Sequence, residues 1–157
     1  MTHAKLGIAE ENSGRLVTLV KNKETLVAAQ KNLSRAIIDG SPGTGCPVIA
    51  SLTGADFAVI VTEPTVSGIH DLNRILEVTK HFGIKSGIII NKSDLNEKQT
   101  DKIKQTAAER NITILGTIPY DKQITQAQMK KMALIEYTNS ETTRIIKNIW
   151  GKIEKIL

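Results

Sequence analysis

The sequence predicts an α/β fold, a mostly parallel sheet flanked by helices, in a single domain over residues 1–157. Short β-branched runs recur along the chain, and stretches with apolar residues three and four apart separate them. The runs themselves lack the apolar/polar alternation of a sheet with one wet face, which suits strands covered by helices on both sides. A chain of 157 residues that is 40% hydrophobic can bury one substantial core.

The opening residues alternate Ala4, Leu6 and Ile8 with His3, Lys5 and Gly7, the pattern of an edge strand. After Ser13 and Gly14 a helix is predicted with Leu16, Leu19, Val20, Leu26 and Val27 facing inward. Residues 35–39, ending in Ile37, Ile38 and Asp39, read as the first buried strand, and residues 57–61, 86–90 and 112–115 as the next three. A helix from about Ser67, which is placed to cap it, turns Leu72, Ile75, Leu76, Thr79 and Phe82 inward. Another is predicted over residues 97–110, and such helices serve as crossovers between parallel strands. From Ser140 on, Ile145, Ile146, Ile149, Trp150, Ile153 and Ile156 share one helical stripe, expected to pack on the sheet rather than to hold a partner.

Composition removes several classes of function. No run approaches the roughly 18 to 20 apolar residues of a membrane span, and the first five residues lack a signal peptide's apolar core, so a cytoplasmic location is expected. Cys46 is the only cysteine; it can form no internal disulfide or zinc cluster and reads as a small packed residue. The net charge of +5 permits contact with nucleic acid, yet the lysines are scattered and one Trp, two Tyr and two Phe offer little stacking surface. The charge therefore reads as a solvated surface, with no nucleic-acid partner expected.

Ligands of open parallel sheets bind beyond the carboxyl ends of the strands, so the residues that follow each run are candidates. Asp39 ends the first run and precedes Gly40, Pro42, Gly43 and Gly45. A carboxylate there can hold Mg²⁺ through water, and the glycines let backbone N–H groups approach a phosphate; a plain tight turn accounts for the same residues. Gly40 and Gly45 have the separation of a phosphate loop, but Cys46 and Pro47 stand where Lys and Ser/Thr are required. Glu63 and Pro64 follow the second run. His70 and Asp71 sit in a first helical turn and are expected to tune that terminus rather than to catalyse.

After the third run come Asn91, Lys92, Ser93 and Asp94, an N-K-x-D motif. Asn91 offers a donor and an acceptor to a base edge, the stem of Lys92 can lie along a ring, and Asp94 can accept from the two N–H donors of guanine. The alternative is a polar loop whose Ser93 or Asp94 caps the next helix. Pro119, Tyr120 and Asp121 follow the fourth run and can wall a base from its other side, although a simple strand-to-helix connection has the same composition. No catalytic residue stands out.

Residues 37–51, 59–84, 90–96 and 116–121 together resemble, in order and spacing, the P-loop ATPases of the MinD/Mrp group, a P-loop NTPase fold of the SIMIBI type. The likeness is greatest to MinD-superfamily ATPases with an inserted ferredoxin domain, which also have segments like residues 3–7 and 10–16. The resemblance implies that Asp39 is the Walker B carboxylate and metal-side residue, that Gly40 to Gly43 form switch II, that Asn91 contacts adenine, and that Pro119 to Asp121 lie beside the base. ATP is then expected over GTP, and Asp94 is left without an assigned role.

The family's lysine-bearing Walker A loop, its switch I and its ferredoxin cysteines have no counterpart in these 157 residues, which resemble a carboxy-terminal portion. An iron–sulfur cluster would belong to the part of the pattern absent here. Without the phosphate loop most triphosphate affinity and transition-state stabilisation are expected to be lost. The implied protein is a truncated or split MinD-like molecule, with weak or partner-dependent Mg-ATP binding and no turnover of its own. In the family the P-loop strand lies inside the sheet beside the Walker B strand, so its absence is expected to end in gap closure, self-association or completion by a P-loop-bearing partner chain. The alternative is a nucleotide-independent protein-interaction module on the same scaffold.

Overall fold

The structure is a computed structural model and describes residues 14–157, so the edge strand expected at residues 4–8 lies outside the described residues. In order the elements are α1 (Gly14–Gln30), α2 (Cys46–Leu52), β1 (Phe57–Thr62), α3 (Val66–His81), β2 (Lys85–Asn91), α4 (Glu97–Glu109), β3 (Thr113–Ile118), α5 (Lys122–Met129), α6 (Leu134–Tyr137) and α7 (Glu141–Ile156). The strands form one sheet in the order β1-β2-β3, and both pairings are parallel. No helix among the described residues is long and apolar enough to cross a membrane.

The central strand dictates the layering. Ile88 and Ile90 are fully buried on one face, where they meet Leu72 and Leu76 of α3 and Ile103 and Ala107 of α4. Ile89 turns to the other face and packs with Leu115, Ile149 and Ile153, the last two from α7. Period-2 burial on both sides is what a continuous β-branched run encodes. Each large apolar side chain so enclosed stabilises the fold by roughly 1.5–3 kcal/mol. Gly116 brings α7 close: a Cβ there would stand 2.5 Å from Ile149 Cγ1.

The strand expected at residues 35–39 does not form. A strand exists by pairing, and among the described residues β1 pairs with β2 alone. The segment is exposed, with Ile37 at 73% accessibility, and carries an ion pair from Arg35 to Glu154 of α7 at 3.1 Å. The helix expected after Ser13 is present as α1, but it buries no residue fully, because it packs against α2 rather than the sheet; Leu19 and Leu26 are exposed.

Other details differ for local reasons. Thr65, not Ser67, caps α3, its Oγ1 accepting from Gly68 N–H at 2.9 Å. Asn96, rather than Ser93 or Asp94, caps α4 by accepting from Gln99 N–H. Phe82 falls just past the end of α3 and is exposed, and α7 buries Ile149 and Ile153 while leaving Trp150 and Ile156 at its margin. The glycine-rich turn runs into α2, with Cys46 exposed at its first position instead of packed. The short helices α5 and α6 carry no long apolar period to announce them.

Candidate functional site

At the carboxyl ends of the three strands, loops 91–96 and 118–121 are stitched together by hydrogen bonds. Ser93 N–H donates to Ile118 O at 3.0 Å, Thr100 Oγ–H donates to Ser93 O at 2.7 Å, and Tyr120 N–H donates to Asp94 Oδ1 at 2.6 Å. Asp94 thus spends a carboxylate oxygen on the neighbouring loop instead of on the next helix. Asp121 caps α5 by accepting from Gln123 N–H at 2.8 Å.

The third strand end joins from β1. Glu63 Oε1 lies 2.8 Å from Lys92 Nζ and accepts a long, 3.5 Å bond from Asn91 Nδ2. Lys92 adopts a left-handed backbone, φ 51°, which turns the chain sharply off the end of β2. The loop holding Glu63 is equally tight. A Cβ on Gly68 would stand 2.4 Å from the Glu63 carbonyl oxygen, so only glycine lets α3 begin this close to the strand. Pro64 is buried beneath it.

A cleft of about 310 Å³ is lined by Asn91, Lys92, Pro119, Tyr120, Asp121, Ile124, Thr125 and Gln128. It combines an apolar wall from Pro119, Tyr120 and Ile124 with the polar edge of Asn91, and its volume lies at the small end of the range for organic ligands. Ile124, Thr125 and Gln128, on α5, were not legible as site residues; the only signal was Asp121 followed by a short helical stretch. A neighbouring polar hollow is lined by Ser93, Asp94, Glu97, Thr100, Asp101, Lys104 and Thr117.

The expected metal-side residues do not line this cleft. Asp39, Gly40, Pro42 and Gly43 are exposed, Gly43 at φ 90°, and none of them lines the cleft. His70 and Asp71 form an exposed pair at 3.5 Å in the second turn of α3, not the first as expected, because the helix already begins at Val66; neither lines the cleft. The structure joins Glu63 to Asn91 and Lys92, and Asp94 to Tyr120, while residues 39–43 are not among the residues that line the cleft.

No group of three His, Cys, Asp or Glu residues able to hold a metal ion occurs among the described residues. The single cysteine of the sequence cannot supply the thiolates of an iron–sulfur cluster.

Residues 41–156 match the family described as 4Fe-4S iron sulfur cluster binding proteins, NifH/frxC family. The chain is 28% identical over 153 residues to the uncharacterized protein MJ0578 of Methanocaldococcus jannaschii, a match covering 98% of this chain and 50% of that one. It is 27% identical over 135 residues to the uncharacterized ATP-binding protein MJ0547 of the same organism, covering 85% and 51%. Among solved structures it is similar to the septum site-determining protein MinD complexed with Mg-ADP from Pyrococcus horikoshii, with TM-score 0.70, 18% identity, and coverage of 92% of this chain and 58% of that chain. The fold is thus the MinD-like P-loop NTPase type that the motifs resemble. The chain spans about half the length of the curated relatives it matches.

Proposed function

Because the chain belongs to the 4Fe-4S iron sulfur cluster binding proteins, NifH/frxC family, we propose that it supplies the base-side half of a nucleotide site whose phosphate side comes from a P-loop-bearing polypeptide. The observation that carries this reading is one cleft at the carboxyl ends of the strands, lined by Asn91, Lys92 and residues 119–121, with Glu63 held to Lys92 and Asn91. Mg-ATP binding is weak in this chain alone or depends on that partner, and no turnover occurs without it. Asp39 and the turn of Gly40, Pro42 and Gly43 serve the metal side once the partner is in place. The likeness to a MinD complexed with Mg-ADP and to a protein described as ATP-binding supports the choice of nucleotide.

Adenine is favoured over guanine by the commitments of the polar groups. Guanine's two N–H donors are matched by a carboxylate presented to the ring, and Asp94 lines the neighbouring hollow rather than the cleft, its Oδ1 accepting from Tyr120 N–H. Asn91 directs its amide nitrogen toward Glu63, which leaves its Oδ1 to accept from an exocyclic amino group. Pro119 and Tyr120 cover the ring face. The family's iron–sulfur cluster enters no step here, since this chain lacks the ligands for one.

Isothermal titration with Mg-ATP and Mg-GTP, with the chain alone and then with the P-loop-bearing half of a relative, tests the reading. The expected result is weak or undetectable heat alone and ATP-selective binding in the mixture, lost in Asn91→Ala. Absence of binding in both settings refutes it. A second reading, a nucleotide-independent interaction module, is favoured by the exposed apolar residues of β1. It predicts partner binding unchanged by nucleotide and by Asp39→Ala and Asn91→Ala together.

A further inference from the structure

Asn91 ends β2 and lines the cleft with a side chain that is ambiguous by itself. The two ends of its amide have nearly the same shape, so one orientation accepts from an exocyclic amino group and the reverse orientation donates to a ring carbonyl. An amide free to flip therefore serves amino and oxo bases alike. Selectivity needs a third group that tells the two ends apart. Glu63, the first residue after β1, is in position to do so. Parallel pairing sets Thr62 opposite Ile90, and the register brings the residues that follow them, Glu63 and Asn91, side by side. Glu63 Oε1 faces Asn91 Nδ2 at 3.5 Å and Lys92 Nζ at 2.8 Å. The first distance is long for a hydrogen bond, yet a full negative charge at that range still sorts the two ends of an amide dipole. A carboxylate only accepts, so the NH₂ end of Asn91 faces it; the reverse orientation sets oxygen against oxygen. Lys92 tethers the same carboxylate oxygen and keeps it at the strand end. Behind it the loop is fixed by buried Pro64 and by Thr65 N–H, which donates to Glu63 O at 2.8 Å. Glu63 itself does not line the cleft, so its influence passes through Asn91.

We propose that Glu63 is a positioning residue that sets the base selectivity of the cleft. By holding the NH₂ end of Asn91 it leaves Oδ1 as the acceptor, and the cleft takes adenine-like rings, with an amino group where hypoxanthine and guanine carry an oxo group. This role rests on the base-side reading of the cleft and adds the group that makes its choice. Removing the charge at Glu63 while keeping its size frees the Asn91 amide to turn, because a glutamine can meet either end of it.

Adenosine carries an exocyclic amino group where inosine carries an oxo group, and neither has a phosphate, so both probe the full chain without a phosphate-side partner. Each is titrated into labelled protein and followed by NMR at the amides of Asn91, Tyr120 and Ile124, which line the cleft. The wild type is expected to prefer adenosine about tenfold, Glu63→Gln to bind the two within about twofold, and Glu63→Asp to keep part of the preference. Asn91→Ala is expected to show no preference, and adding Glu63→Gln to it to change nothing further, a coupling that general loosening of the loop does not produce. A merely structural Glu63 weakens both nucleosides alike and leaves their ratio. In the ligand-free chain the Asn91 Nδ2 proton resonances are expected to move in Glu63→Gln and to return part of the way in Glu63→Asp. Circular dichroism checks that each variant keeps its helices. An adenosine preference that persists in Glu63→Gln overturns the proposal and leaves the base-side reading standing. If neither nucleoside moves the cleft amides of the wild type, the base-side reading falls and the selectivity with it; unmoved Asn91 Nδ2 resonances in Glu63→Gln defeat the positioning contact itself.

Discussion

Asp94 and Tyr120 are 26 residues apart in the chain and joined by a 2.6 Å hydrogen bond. That bond holds the loop after β2 against the loop after β3, so it shapes the cleft without touching its contents. Asp94→Ala leaves the Tyr120 N–H to solvent and should cost about 1 kcal/mol, read by urea unfolding, with faster amide exchange at Tyr120. Asp94→Asn keeps an acceptor and should lose less. The candidate residues at this end were legible because strand ends are legible: an apolar run followed by a polar loop identifies Asn91, Lys92 and residues 119–121. Their partners were not. Glu63 was visible as a strand-end carboxylate, but its contact with Lys92 depends on two strands lying side by side.

Among the elements, α3 and α1 illustrate opposite dependences. The end of α3 is fixed locally, since Thr65 Oγ1 satisfies the Gly68 N–H and Ser67 Oγ merely meets Thr65 Oγ1 at 3.2 Å. Thr65→Ala should therefore destabilise by about 1 kcal/mol, and Ser67→Ala by clearly less, in thermal or urea melts. α1 is fixed from outside. Lys21 Nζ donates to the carbonyls of Ala50, Ser51 and Thr53 at 3.2, 3.0 and 2.5 Å, fastening α1 to the last turn of α2. Burial holds the Lys21 ammonium below its ordinary 10.5, with Glu24 opposing that shift. The folded chain then releases this proton at lower pH than the unfolded chain does, so unfolding takes up a proton within that window. Stability should rise as pH climbs through the lowered value toward 10.5, and Lys21→Met should remove the rise in melts followed from about pH 8 upward.

The molecule as a whole has two tiers. β2 is enclosed by α3 and α4 on one face and α7 on the other, whereas α1 rests on α2 with no fully buried residue. Native-state hydrogen exchange should place the amides of Ile88, Ile89 and Ile90 at the slow extreme and those of α1 at the fast one, since local opening is easiest where few apolar contacts are lost. Equal protection in both would contradict this layering.

The sequence by itself determined the three paired strands, the crossover helices and the final amphipathic helix, because periodicity and β-branching are local properties of the chain. It also identified the residues at the strand ends, since strand termination is local. Only the tertiary structure decided that residues 35–39 form no strand with the described residues, that α1 packs on α2, and that Glu63, Asn91 and Lys92 meet beside a cleft that Asp39 does not line. Pairing and convergence require a neighbour, and which neighbour is present is a property of the assembled sheet rather than of any one segment.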